Sequence, residues 1–196
     1  MTFFASILGL RARTAPAQRA AWFKLLEQAR SGPLFASPLH GEAHWRGVAG
    51  IGLEIARIRP GLDVSMVLAF AMIHDSRRYD EGWDPDHGLR AAHVAQCASP
   101  LKRLMDDDRI ARLAQACLLH QKGRSNTRDR DVGACWDADR FSLVRLEITP
   151  NARFMSLGYD DVEMRELIEV AQKISAEPPE WDVLIDAAIK REGVGA

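Results

Sequence analysis

The chain has few features that would staple it, anchor it or draw it to a charged polymer. It holds three cysteines in 196 residues, Cys97, Cys117 and Cys135, and no CxxC pair. An odd, widely spaced set fits reduced thiols in a cytoplasm better than a disulfide framework or a thiolate zinc site. A net charge of -1 removes any global electrostatic drive toward long nucleic acid or an anionic membrane. No uninterrupted apolar run approaches the roughly 20 residues of a membrane span. The apolar opening, residues 1–10, has no basic residue ahead of it and runs into Arg11 and Arg13, the reverse of a secretory signal. It is expected to tuck against the core as a first helix of a cytoplasmic protein. Strand-type alternation is almost absent, and no serine or cysteine nucleophile motif occurs. Gly50-Ile51-Gly52 lacks the third glycine of a nucleotide loop.

What remains is helical. With 47% hydrophobic and 27% charged residues the composition is that of a globular protein. The length is that of one domain, 1–196, able to bury about 70% of its unfolded surface. Thr14 and Pro16 open a helix to about residue 30, which Ser31-Gly32-Pro33 ends. A second is predicted over about 40–58, closed by Pro60-Gly61, and a third is capped by Asp63 and ends near Asp75. Residues 76–86 read as a loop, after which Asp86 caps a helix to about 98. A short helix follows Ser99-Pro100, and a longer one runs from Asp107 or Asp108 to Gly123. An arginine-rich loop then precedes a helix over about 131–146, and two more follow near 161–175 and 179–190. The expected fold is an all-α, single-domain helical bundle.

The strongest chemical signal is the doublet His74-Asp75, which follows the apolar run VLAFAMI at 67–73. Two groups that are costly to bury have no packing reason to stand there, but imidazole nitrogen and carboxylate oxygen are good ligands for a divalent metal. All six histidines fall between His40 and His120. Helical spacing puts His44 on one stripe with Val48, Ile51, Ile55 and Ile58, His120 with Ile110, Leu113 and Cys117, and Asp139 with Val132, Trp136, Leu143 and Leu146. A single histidine on such a stripe is more often a hydrogen-bonded core residue. Several of them, with an aspartate and the doublet, favour a metal site, because a buried carboxylate needs a cation or several donors. Asp137 competes with Asp139, since Phe141, Val144 and Ile148 share its stripe. The two lie about 200° apart around a helix, so one faces the site, and periodicity alone does not say which.

The ordered set His44, His74-Asp75 and Asp139 resembles the HD-domain superfamily of metal-dependent phosphohydrolases. The resemblance covers roughly residues 40–146 and implies an HD-type bundle in which these four residues hold a metal. Ala138-Asp139-Arg140-Phe141 matches the context of the family's late aspartate, which favours Asp139 over Asp137. Some branches place further histidines between the doublet and the last aspartate and hold a second metal. His120 resembles such a position, and His87 shares a stripe with Ala91, Val94 and Ala98, although a surface role at a helix start suits it equally. His93 has no such stripe. His40 and His44 are spaced as in the zincin helix, but Gly41 stands where its glutamate belongs and Glu42 comes one position late. His40 is then expected behind the ligands or against substrate.

The implied cofactor is a divalent transition metal (Mn, Fe, Co, Ni or Zn, or else Mg), with one ion held tightly and a second, weak or substrate-dependent site left open. The implied reaction is hydrolysis of a small phosphorylated metabolite or nucleotide by a metal-activated water, with His74 and Asp75 at its centre. Phosphate oxygens call for positive charge. Arg77, Arg78 and Lys122 are the chosen suppliers, because the chain carries them close to His74 and His120; Arg124, Arg128 and Arg130 crowd the later loop. Nucleotidase-like members often have an acid where this chain has Arg78, and its acids come later, at Asp80, Glu81, Asp84 and Asp86. Two other classes stay open: a di-iron HD-type oxygenase, and a metal- or nucleotide-binding regulatory module without turnover.

Overall fold

A computed structural model describes residues 14–122 and 127–194. The expected first helix at 1–10, along with Gly123 and Arg124, lies outside the described residues. Those described form an all-α single-domain bundle with no strand among them: α1 (Ala15–Arg30), α2 (Glu42–Ile58), α3 (Val64–Ile73), α4 (His87–Cys97), α5 (Asp107–Leu119), α6 (Arg130–Phe141), α7 (Asp161–Ala176) and α8 (Trp181–Val194). None of these helices is long and apolar enough to cross a membrane.

α3 is the axis of the fold. Every one of its residues is buried, which explains why its apolar run shows no polar face. α1, α2, α5, α6 and α8 all pack against it. Phe70 at its centre is fully buried, so truncating it to alanine would cost about 3–5 kcal/mol. Asp63 caps α3 as expected, accepting from the Met66 amide at 2.9 Å. The helix stops at Ile73, and the doublet begins a tight turn in which Ser76 Oγ donates to the Ile73 carbonyl at 2.8 Å.

Several boundaries differ from expectation for local reasons. α2 starts at Glu42 rather than His40, because Ser37 Oγ accepts from the Leu39 and His40 amides and holds His40 in the preceding turn. α5 is capped by Asp106, one residue early, through the Arg109 amide. Asp86 stands at the start of α4, but its side chain makes no capping bond. The expected helix over 131–146 is α6 followed by a 3-10 segment, Ser142–Leu146. Arg112 on α5 binds both oxygens of Asp129, at 2.6 and 2.7 Å, and so fixes the start of α6 against α5.

Two glycines permit the helix approaches that build the site. A methyl group at Gly52 would stand 2.3 Å from Val67 Cγ1, so the α2 backbone rests directly on this α3 side chain. A methyl group at Gly88 would meet the Cys117 carbonyl at 2.8 Å, so the first turn of α4 rests on the end of α5.

Candidate metal centre

α2 and the turn after α3 bring His44 Nε2 to 3.1 Å from His74 Nε2. The start of α4 and the end of α5 bring His87 Nε2 to 3.0 Å from His120 Nε2. The Asp75 carboxylate stands between these pairs. Its Oδ2 lies 3.5 Å from His44 Nε2 and 3.7 Å from His74 Nε2. Its Oδ1 lies 3.3 Å from His87 Nε2 and 3.5 Å from His120 Nε2. The result is two buried triads, His44/His74/Asp75 and Asp75/His87/His120, sharing one carboxylate. Asp139 on α6 joins the first, with Oδ1 3.5 Å from His44 Nε2 and 3.7 Å from His74 Nε2.

The second nitrogen of each ring is already engaged. His74 Nδ1 lies 3.1 Å from the Phe70 carbonyl, His87 Nδ1 2.5 Å from that of Asp84, and His120 Nδ1 2.7 Å from that of Cys117. A carbonyl only accepts, so these Nδ1 atoms carry hydrogen and donate. His44 Nδ1 faces Ser142 Oγ at 3.4 Å, whose hydroxyl donates to the Asp139 carbonyl. A ring held this way presents Nε2 inward, as a lone pair whenever the ring is neutral. Two such lone pairs about 3 Å apart repel unless something positive stands between them. Phe70 supports the cluster from below, stacked on His74 at 4.8 Å between centroids and edge-on to His120 at 5.9 Å.

Protonation follows the same geometry. Burial pushes His74 down to about 4, so it is a neutral ligand at physiological pH. Burial also lowers His87. Burial would lower His120, but the Asp75 carboxylate beside it more than offsets this, and its pKa rises. Burial would raise Asp75, yet the surrounding imidazoles of His74, His120, His40 and His44 hold it well below the usual carboxylate range. Asp75 Oδ1 is buried and makes no hydrogen bond. An ionised, buried oxygen with no hydrogen-bond donor calls for a cation. Ligands about 2.1 Å from one ion and at right angles to each other lie about 3 Å apart, which is the spacing of each imidazole pair. These residues can hold a metal ion.

Asp137 is a different kind of residue. It is fully buried and accepts from the Ser156 amide at 2.7 Å, the Leu157 amide at 2.9 Å, Tyr159 Oη at 3.2 Å and Arg140. It organises the 156–159 loop on the far side of α6. His93 is exposed and touches Cys97, apart from the cluster. His40 is close behind the ligands, with Nδ1 donating to Asp75 Oδ2 at 3.1 Å.

The chosen cations separate. Arg77 turns away: its Nη2 donates to the Gln28 carbonyl and Ser31 Oγ, tying the doublet's turn to the end of α1. The loop after the doublet leaves the helix register, so neighbours in sequence point apart. Arg78 turns inward and is buried, its Nη1 3.3 Å from the His87 ring nitrogens and 3.8 Å from Asp75 Oδ1. The Gly82 and Asp80 carbonyls hold its other nitrogens. Arg78, His87 and exposed Lys122 line a cavity of about 360 Å³ beside the second triad, along with Trp83 and Asp84. Arg128 and Arg130 are exposed. Of the later acids, Asp84 is committed to the Tyr79 amide and Arg90.

Comparison with protein-family models, curated proteins and solved structures gives no match. The site must therefore be read from its own chemistry.

Three residues of the site were not anticipated: Phe70, Ser142 and Arg145. Ser142 follows Asp139 at three positions, a helical step that was the available signal; Arg145 comes three further on and shares that side only because Ser142–Leu146 is a 3-10 segment. Arg145 donates to the Ser142 carbonyl and Oγ at 2.9 Å each and to the Leu39 carbonyl at 3.0 Å.

Proposed function

We propose that this protein is a metal-dependent phosphohydrolase of the HD-domain type, acting on a small phosphorylated metabolite or nucleotide. One observation carries the reading: Asp75 aims one oxygen at each of two imidazole pairs, and Oδ1 has no hydrogen-bond donor. His44, His74, Asp75 and Asp139 would hold one ion; Asp75, His87 and His120 would hold a second. When bound, such an ion supplies Lewis acidity toward a phosphoryl oxygen and a water acidic enough to ionise near neutral pH.

The remaining work falls to the chain's own groups. Arg78 offers a guanidinium held beside His87, and Lys122 an exposed ammonium on the same cavity; both would bind phosphoryl oxygens. His40 orients Asp75 by its hydrogen bond to Oδ2. The backbone carbonyls and Ser142 hold each ring with Nε2 inward.

A di-iron oxygenase is the second reading, favoured by the presence of two histidine pairs where a single ion needs one. A regulatory module without turnover is disfavoured by the complete set of inward-facing ligands. The test is a screen of nucleotides and phosphorylated metabolites with protein loaded with manganese, cobalt, nickel or magnesium, run with and without air. Phosphate release that is independent of oxygen is the expected result. Fully metallated protein that releases no phosphate, yet consumes oxygen with an organic substrate, overturns the hydrolase reading.

A further inference from the structure

A second cavity opens on the other end of the cluster. It has a volume of about 160 Å³, and its lining includes His44, Gly47, Ser142, Arg145, Ser175 and Pro178. This is room enough for a carboxylate or phosphate group.

Its polar lining is unusual in what it lacks. Arg145 makes no ion pair among the described residues; its partners are neutral, two carbonyls and a hydroxyl. Burial pushes its pKa down, and only the more distant charges of Asp139 and Asp75 oppose this. It remains a guanidinium at any physiological pH. Its Nε is buried with no hydrogen-bond partner, and Ser175 Oγ, from α7, is likewise buried without one. Two unpaired donors thus border a small cavity whose wall includes His44. A half-buried cation with a buried, unpaired Nε and only neutral partners is costly unless an anion joins it.

We propose that this cavity is an oxyanion subsite, in which Arg145 and Ser175 receive a carboxylate or phosphate group of the substrate other than the one that reacts. Assigning that group to the substrate rests on the phosphohydrolase reading; the subsite itself rests on the cavity and its unpaired donors. His44 stands at the Oδ2 end of Asp75 and His87 at the Oδ1 end, so the Arg145 and Arg78 cavities open at different ends of that carboxylate. A substrate reaching both carries two oxyanions on a short spacer, as in a phosphorylated acid or a bisphosphate.

The test is NMR of the full-length, metal-free, ¹⁵N-labelled protein, observing arginine Nε–H signals and backbone amides during titration with inorganic phosphate and, separately, acetate. Saturable shifts of Arg145 Nε–H and of the Ser142 and Ser175 amides are expected with at least one anion. Response to phosphate alone assigns the subsite to a phosphate; response to acetate admits a carboxylate. Arg145→Gln should abolish these shifts, and Arg145→Lys should weaken binding by about tenfold, because the planar fork is lost but the charge is kept. Either variant should retain the wild-type amide spectrum elsewhere and wild-type metal content. No saturable shift at Arg145 with either anion, or the same shifts in Arg145→Gln, overturns the subsite. If Arg145 responds but the wild type binds no metal, the phosphohydrolase reading fails while the subsite stands.

Discussion

The two triads share Asp75 yet are built from different kinds of structure. His44 lies within the first turn of α2 and His74 follows directly from α3, both backed by the apolar centre of the bundle, and Asp139 adds a second carboxylate. His87 and His120 come from helix ends, α4 and α5, brought together by the close contact at Gly88. Their triad has a single carboxylate oxygen and the Arg78 guanidinium 3.3 Å from His87. One site is rich in negative charge and rigid support. The other is poorer in both and borders the larger of the two cavities, about 360 Å³ against about 160 Å³. Ion affinity follows charge and preorganisation, so the first site should bind tightly and the second more weakly, with Arg78 opposing a second cation until an anion neutralises it.

Exchanging the two α6 aspartates gives the largest contrast. Asp139→Ala removes a carboxylate that belongs only to the first triad, and its metal affinity should fall at least about a hundredfold. Asp137→Ala should keep the metal but lose about 3 kcal/mol of stability, because two amides and a hydroxyl lose their buried acceptor. Metal titration and chemical denaturation of both variants check this; weaker metal binding in Asp137→Ala would reverse the assignment. Next in size, His120→Ala should remove the weaker ion and leave the tight one, and Gly88→Ala should do the same by pushing α4 off α5. Loss of the tight ion in either variant would show that the triads do not act separately. Smallest is His40→Ala, which removes a hydrogen bond behind Asp75 and should weaken metal binding about tenfold without changing the number of ions.

Much of this was legible in the sequence where a periodic face met an unburiable group. His44, His120 and Asp139 sat on apolar stripes, and the doublet ended an apolar run that proved to be the central helix. His87 was ambiguous because its burial depends on a contact between helix ends, which no local pattern encodes. Asp137 and Asp139 were both on partly apolar stripes. What separates them is surroundings: Asp137 is held by four donors, and Asp139 faces the His44 and His74 rings. Arg77 and Arg78 could not be told apart because the chain leaves the helix at Ile73, and a turn sends adjacent side chains in opposite directions. Arg145 was passed over because six positions put it about 120° from Asp139 on an α-helix, and only the 3-10 segment Ser142–Leu146 turns it toward the same end of the cluster.

The central claim is that Asp75 is shared by two cation sites of unequal strength. The most direct measurement is elemental analysis combined with calorimetric titration of metal-free wild-type and Asp75→Ala protein with manganese and cobalt, with folding confirmed by circular dichroism. Wild type should bind two ions in two resolved steps, and folded Asp75→Ala should lose both. Folded Asp75→Ala that still binds ions with wild-type stoichiometry and affinity, or wild-type protein that binds none, would contradict it.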